Sequence, residues 1–360
     1  MKLLVVSNLY PNEAHPAYGT FVARFCEQLD TLGVDYDKVV MHQADGKLKK
    51  AWGYVRFYSA SFFACLSRKY DTVYVHYASH SGPGVLLARV FRKFRLITNV
   101  HGSDVDPQTA IHRKFQVITR KLIARSDSVV VPSLYFQSHV AEKFGYPKER
   151  IFVYPSGGVG TLFFRELGTK ASAASMRRFG LRDDAFRVGF AGRLVEIKGW
   201  DTFVEAAALL HEEFPNFQFI MVGSGAGEAR LEAMRRELPF DLIRFSLLDQ
   251  GSLAELYSCL NVFVFPTKGE SLGLVGLEAM ASGAAVVAGD CTAPRYYIHH
   301  GVNGLKFPPG DAKALAEAIK TYYLLPEEKK QQMLARGYQT ALAYAPDKIL
   351  NQLETILKES

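Results

Sequence analysis

The sequence predicts an α/β protein made of two doubly wound domains, each a parallel sheet covered by helices. Three observations point there. Short apolar runs alternate with stretches of helical periodicity along the whole chain, the pattern of repeated strand–helix units. Glycine recurs where a run gives way to a helix, at Gly19, Gly192 and Gly223-Ser224-Gly225. The 360 residues, 48% hydrophobic and 22% charged, suffice for two ordinary domains with their own cores.

Leu3–Val6 is the first buried-strand run, and a loop with Pro11, Pro16 and Gly19 follows it. Helical spacing begins at Thr20 with Phe21, Val22, Phe25, Leu29 and Leu32. A strand, a glycine-bearing loop and a helix is how a nucleotide-binding turn starts. No GxGxxG fingerprint is present, which argues against a nicotinamide or flavin dinucleotide. Residues 47–69 mix lysine and arginine with Trp52, Tyr54, Phe57, Tyr58, Phe62 and Phe63, which suits either a helix at a membrane interface or a core helix with solvated ends. Thr72–Val75 is a strand, and the small residues Ser79–Gly84 lead into a helix over Val85–Phe91.

Leu96–Val100 delivers His101-Gly102-Ser103-Asp104 at its C-terminal end, the end that faces the ligand crevice in open α/β sheets. His101 is therefore a site candidate. Ile111–Arg125 is an amphipathic helix, Ser128–Val131 and Ile151–Tyr154 are strands, and the turn Ser156–Gly160 closes the first half. Gly168–Asp184 lacks an apolar run and reads as the linker.

Arg187–Ala191 restarts a strand and runs into Gly192-Arg193-Leu194-Val195-Glu196-Ile197-Lys198-Gly199. Two cations in one glycine-bracketed loop between strand and helix can converge on a diphosphate. Phe217–Val222 and Ile243–Leu247 are further strands, each followed by a helix. Val262–Phe265 then opens a strand–loop–helix–strand unit ending at Ala284–Ala288. Glu270 lies in its loop and Glu278 on its helix, with the amides of Leu272–Val275 between them at the helix N-terminus. Free amides and the helix dipole favour an anion there, and carboxylates accept hydrogen bonds from sugar hydroxyls. A nucleotide sugar offers both. Leu305–Phe307 is a last strand, Ala312–Tyr322 a helix, and a helix from Asp347 has one apolar face.

No apolar run reaches the length of a membrane span, and the apolar core of MKLLVVSNLYP is too short for a signal peptide. Cys26, Cys65, Cys259 and Cys291 lack metal or disulfide spacing, which favours a reducing cytosol. Charge is lopsided. Residues 1–165 carry 22 Lys and Arg against 12 Asp and Glu, whereas residues 166–360 carry 21 against 24. The first half therefore expects an anionic partner. The strand–glycine–helix corners favour phosphorylated small molecules over nucleic acid.

Gly19, HGSD at 101–104, GRLVEIKG at 192–199, VGSG at 222–225, Glu270 with Glu278 and EAMASG, and HGVNGLKFPPGD at 300–311 occur in a set order. Together they resemble the retaining glycosyltransferases of family four, over nearly the whole chain. The resemblance implies the GT-B fold of two facing Rossmann-like domains with a ligand cleft. It places an acceptor domain at 1–165, a nucleotide-sugar donor domain at 166–345 and a C-terminal helix at 346–360 that crosses back. It implies that Arg193 and Lys198 neutralise the donor diphosphate, Glu278 holds the ribose and Glu270 the transferred sugar. Ser271, Leu272, Gly273, Leu274 and Val275 would line sugar and phosphate, Gly19 would close on the diphosphate, and His101 would reach the reacting carbon. The nucleobase is expected against Arg244–Leu248.

Ser271-Leu272, where Gly-Phe is usual, and Phe245-Ser246-Leu247, without the common glycine, leave sugar and base open. Pro294-Arg295 stands where Pro-Glu is common. The expected protein is a cytoplasmic, metal-independent, retaining hexosyltransferase with no cofactor. It would pass a sugar to a glycan acceptor, lipid-linked, in polysaccharide or glycolipid synthesis. It would attach peripherally to the anionic inner face of the plasma membrane. A soluble sucrose-, trehalose- or glycogen-type transferase is the alternative, and a non-catalytic nucleotide-sugar binder a third.

Overall fold

The structure, a computed structural model, describes residues 2–15, 18–107, 109–168 and 171–359. The chain forms two compact units, one from Met1–Gly157 with Asp347–Ser360 and one from Gly158–Pro346. Both are built on a six-stranded parallel sheet, as the alternating pattern predicts.

In the first unit the strands are β1 (Leu3–Tyr10), β2 (Tyr36–His42), β3 (Thr72–His76), β4 (Arg95–Asn99), β5 (Ser128–Val131) and β6 (Ile151–Val153). Their spatial order is β2-β1-β3-β4-β5-β6. Side chains alternate across a strand, so β1 feeds two cores. Leu4 and Val6 join Val73, Val75 and Leu96 on one face, and Leu3 and Val5 join Phe25, Tyr74 and Ile97 on the other. The second of these cores is completed by Ile349, Leu353, Ile356 and Leu357 of the helix Pro346–Glu359.

The second unit holds β7 (Phe186–Ala191), β8 (Phe217–Val222), β9 (Ile243–Phe245), β10 (Val262–Phe265), β11 (Ala285–Gly289) and β12 (Leu305–Phe307). Their order is β12-β11-β10-β7-β8-β9. The central strand β10, Val262–Phe265, is wholly buried, which is why it reads as an unbroken apolar run.

Three expectations need correction. Gly168–Asp184 is not the linker, since Met176, Phe179 and Leu181 are buried in the core of the second unit. Val159 and Phe163 lie in that same core, so the boundary falls at 157/158, before residue 165. Ser79–Gly84 is helical, being part of the helix Ala78–Phe91. Its small residues serve packing: an added Cβ at Gly84 would meet Tyr58 O at 2.5 Å, and one at Gly82 would meet Ile118 Cγ2 at 2.7 Å. The helix therefore lies tight between Lys47–Leu66 and Ala110–Arg125. Among the described residues, no helix is long and apolar enough to cross a membrane.

Candidate functional site

Each unit carries a cluster of chemistry-bearing residues beyond the C-terminal ends of its strands. In the second unit, β7 ends at Ala191 and the loop 192–199 follows. Gly199 has φ +65°, and a Cβ there would stand 2.0 Å from Pro266 O. Only glycine lets this loop close on the end of β10. Lys268 N donates to Ile197 O at 2.8 Å and Thr267 Oγ1 to the same oxygen at 3.1 Å, which ties the loop 192–199 to the loop after β10.

That tie brings Lys198 to Glu270, 72 residues on, and their side chains form a part-buried ion pair. Glu270 is fixed in turn. Its amide donates to Thr292 Oγ1 at 2.8 Å, Thr292 Oγ1 donates back to its carbonyl at 2.9 Å, and Ser271 N donates to Oε1 at 3.2 Å. Sequence reasoning gave Thr292 no part, because its role is to hold a distant backbone. Arg193 is exposed, and among the described residues nothing pairs with its charge.

Gly273, in the left-handed region, precedes the helix Leu274–Ala281. A Cβ at Gly273 would lie 2.6 Å from the Phe265 ring, so the helix N-terminus seats directly on the end of β10. Tyr297 OH donates to Gly273 O at 3.0 Å from behind. Leu272 is buried at 4% exposure, whereas Ser271, Leu274 and Val275 stay partly open. Glu278 is 6% exposed in the second turn, a buried carboxylate among Leu277, Ala279 and Met280. The unit thus gathers two cations, two carboxylates and a row of helix N-terminal amides, a set that complements a diphosphate flanked by hydroxyls. The segment Arg244–Leu248 begins on β9, where Arg244 pairs with Glu228 at 3.0 Å and Glu232 at 3.1 Å.

In the first unit, Gly19 precedes the helix Thr20–Thr31 with φ +75°, and a Cβ there would meet Leu9 C at 2.6 Å. This close approach to the end of β1 is what requires glycine. His101 follows β4 and carries Phe21 of that helix against its ring, centroids 4.2 Å apart. Beneath it lies His76, the last residue of β3, which sequence reasoning passed over. His76 Nδ1 is 3.1 Å from His101 Nε2, and His76 Nε2 is buried without a hydrogen-bond partner. The signal was present: His76 pairs in register with Asn99, two residues before His101.

Asp104 is buried and shapes the turn. Its Oδ1 accepts from His101 N and Gly102 N, both at 2.9 Å, and its Oδ2 from Ala78 N at 3.0 Å. Burial pushes its carboxyl up to about 6 despite these donors. Burial pushes His101 down to about 3 and His76 well below the usual imidazole range, so both rings are neutral at pH 7. Among the described residues, no group of three or more His, Cys, Asp or Glu is arranged to hold a metal ion.

Two family models, several curated proteins and several solved structures are similar to this chain. A model described as "Glycosyl transferase 4-like domain" matches residues 16–157, and one described as "Glycosyl transferases group 1" matches residues 185–324. The D-inositol 3-phosphate glycosyltransferase of Thermomonospora curvata is 29% identical over 290 residues, 74% of this chain and 66% of that protein. The chain thus spans about two thirds of the length of that curated relative. Among solved structures, sucrose-phosphate synthase from Thermosynechococcus elongatus superposes with a TM-score of 0.81 at 22% identity, covering 99% of this chain and 98% of that one. Anabaena HepE in complex with UDP superposes at 0.78 with 18% identity, covering 100% of both chains. At such identities these two likenesses show the fold alone.

Proposed function

We propose that this chain, with a glycosyltransferase domain model matched on each unit and the GT-B fold, is a glycosyltransferase that moves a sugar from a nucleotide-diphosphate donor to a hydroxyl of a glycan acceptor. The observation that carries this reading is the second unit's cluster: Lys198 paired with Glu270, Arg193 on the same loop as Lys198, and Glu278 with the amides of 272–275 at one helix N-terminus. Solved neighbours of this fold hold UDP or a UDP-sugar, which supports a nucleotide sugar as donor.

In this mechanism the bond that breaks joins the anomeric carbon to the diphosphate. Charge develops on the departing phosphate oxygens, where Arg193, Lys198 and the helix N-terminal amides stabilise it without a metal ion. Glu278 accepts from ribose hydroxyls, Glu270 from hydroxyls of the transferred sugar, and Gly19 brings backbone close to the diphosphate. Neutral His101 hydrogen-bonds near the reacting carbon. The acceptor hydroxyl attacks from the face the diphosphate leaves and passes its proton to the departing phosphate oxygen, so the anomeric configuration is retained.

The acceptor in this reading is a lipid-linked glycan in polysaccharide or glycolipid synthesis, met at the inner face of the plasma membrane by a cytoplasmic enzyme. The basic first half supports it. The names of the relatives favour a second reading, a soluble sugar phosphate or inositol phosphate as acceptor. The test is a panel of nucleotide sugars screened by thermal shift, then donor hydrolysis and transfer in EDTA. A native-state ligand raises the melting temperature. One sugar nucleotide should do so and be consumed with retention. No shift from any nucleotide sugar or nucleoside diphosphate would defeat the proposal.

A further inference from the structure

The helices Lys47–Leu66, Ala78–Phe91 and Ala110–Arg125 form one layer over the first unit's sheet, closed up by the contacts of Gly82 and Gly84. The outer surface of this layer is unlike the rest of the molecule. On the first helix Leu48 (88% exposed), Trp52 (71%), Val55 and Phe63 share one face, at i, i+4, i+7 and i+15. Phe57, Ser61 and Cys65 on the opposite face are buried, so the helix is apolar both inward and outward. On the second helix Leu87, Val90 and Phe91 are exposed together, and Phe91 reaches the first helix through Phe62, ring centroids 6.0 Å apart. The third helix adds exposed Ile111 and Val117.

Charge on this layer has one sign. The three helices contain no Asp or Glu, and each carries Lys or Arg. Lys49, Lys50 and Arg56 are exposed beside the first stripe, and Lys114, Lys121 and Arg125 on the third helix. A further concavity of about 950 Å³, basic on balance, lies where the second and third helices end, lined by Arg89, Lys93, Arg95 and Arg125 and by Asp127, which pairs with Arg89 at 3.1 Å. A protein partner with an apolar patch would match the stripe but leave this charge unanswered. A polyanion would match the charge but leave Trp52, Phe63 and Phe91 in water. An anionic bilayer answers both, since long cationic side chains reach the headgroups while aromatic and aliphatic groups enter the interface.

We infer that this three-helix face is the surface by which the protein sits on an anionic lipid bilayer, with Trp52, Phe63 and Phe91 as insertion residues. The inference deepens the acceptor reading above by assigning its membrane contact to named residues, and it rests on that reading for its purpose. It needs no spanning segment. Attachment is reversible, because the attraction of the cations is screened within a Debye length.

The test is co-sedimentation of the full chain with vesicles of phosphatidylglycerol or of phosphatidylcholine, at low and high salt. Binding should be at least tenfold stronger to phosphatidylglycerol, fall as salt rises, and drop at least tenfold in Trp52→Glu/Phe91→Glu. Leu324→Glu, which replaces an exposed apolar residue of the second unit, should bind like wild type. Equal binding to both lipids, no binding to either, or loss of binding equally in Leu324→Glu would overturn the inference. So would a concentration-dependent dimer abolished by Trp52→Glu/Phe91→Glu, which would make the face a contact between copies. Binding of uridine diphosphate, followed by thermal shift on the same preparations, reports on fold and donor site. Vesicle binding without donor chemistry would defeat the transferase proposal and leave the face standing; donor chemistry without vesicle binding would do the reverse.

Discussion

His76 Nδ1 and His101 Nε2 lie 3.1 Å apart, two neutral imidazoles sharing one hydrogen bond in the first unit. One of these two nitrogens must donate and the other accept, so the rings fix each other's tautomers. With His76 Nε2 buried and unpartnered, a proton placed there would be an orphaned donor. The proton therefore sits on His76 Nδ1, and His101 presents Nδ1–H as a donor. His76→Phe should lower kcat more than it changes donor KM, while His76→Asn, whose amide can still donate, should recover part of the loss. Nitrogen NMR of the imidazoles checks it: a wild-type His101 protonated on Nε2 would contradict the assignment.

The same pair makes the fold sensitive to acid. His76, His101 and His80 are all depressed by burial, His80 to about 4. Each takes up a proton more readily unfolded, near the ordinary value of about 6.5. The stability they give is present above that pH and is lost as pH falls through it toward their folded values. Asp104 acts in the opposite sense, since its acid is raised to about 6 and its contribution fades as pH rises through that value. With His112, which burial also depresses, four histidines stand against one raised carboxyl and leave a net loss. The melting temperature should fall from pH 7 to pH 5, and His76→Phe should flatten the slope.

Asp104→Asn should destabilise the first unit by about 1–3 kcal/mol, the cost of leaving buried donors unsatisfied. One carboxylate oxygen takes two amide donors and the other takes one, and an amide nitrogen in either place can accept none. Urea unfolding measures it; a neutral effect would mean the turn is held by something else.

Lys198→Ala should slow transfer by tens to hundreds of fold, because a hydrogen bond to a charged group contributes roughly 1.5–3 kcal/mol. It also leaves Glu270, a part-buried carboxylate, without its cation. Arg193→Ala should weaken transfer similarly with little effect on folding, since that side chain is exposed and unpaired among the described residues. Wild-type turnover in either variant would remove the diphosphate clamp.

The two glutamates should separate in calorimetry. Glu278→Gln should weaken binding of the bare nucleoside diphosphate, whose ribose it is proposed to hold. Glu270→Gln should leave that binding nearly intact and lower transfer. Equal loss in both would refute the division of roles.

Much of this molecule was legible in its chain, and the misses have physical causes. β10 and the helix after it read clearly because a fully buried strand is an uninterrupted apolar run. β2, Tyr36–His42, was passed over because it is an edge strand whose Asp37 and Lys38 break the apolar pattern. Gly168–Asp184 looked like a linker because Ser172 to Ser175 are small residues without an apolar run, yet Ser172 caps a short helix that seats Met176 in the core. Glycine-marked corners were readable because a backbone that must approach another closely needs glycine. Residues that act through a distant partner were not: Thr292 on Glu270, and His76 beneath His101, whose pairing depends on parallel register.

The helix Pro346–Glu359 has a consequence for the order of synthesis. Leu3 and Val5 are made more than 300 residues before Ile349, Leu353, Ile356 and Leu357, yet all of them belong to one core. The first unit therefore cannot reach its final packing until nearly all of the second has been made. Domains generally fold as units, the N-terminal one first. Here the N-terminal sheet must wait with part of one apolar face open, the part that Val22, Phe25 and Leu29 leave for this last helix.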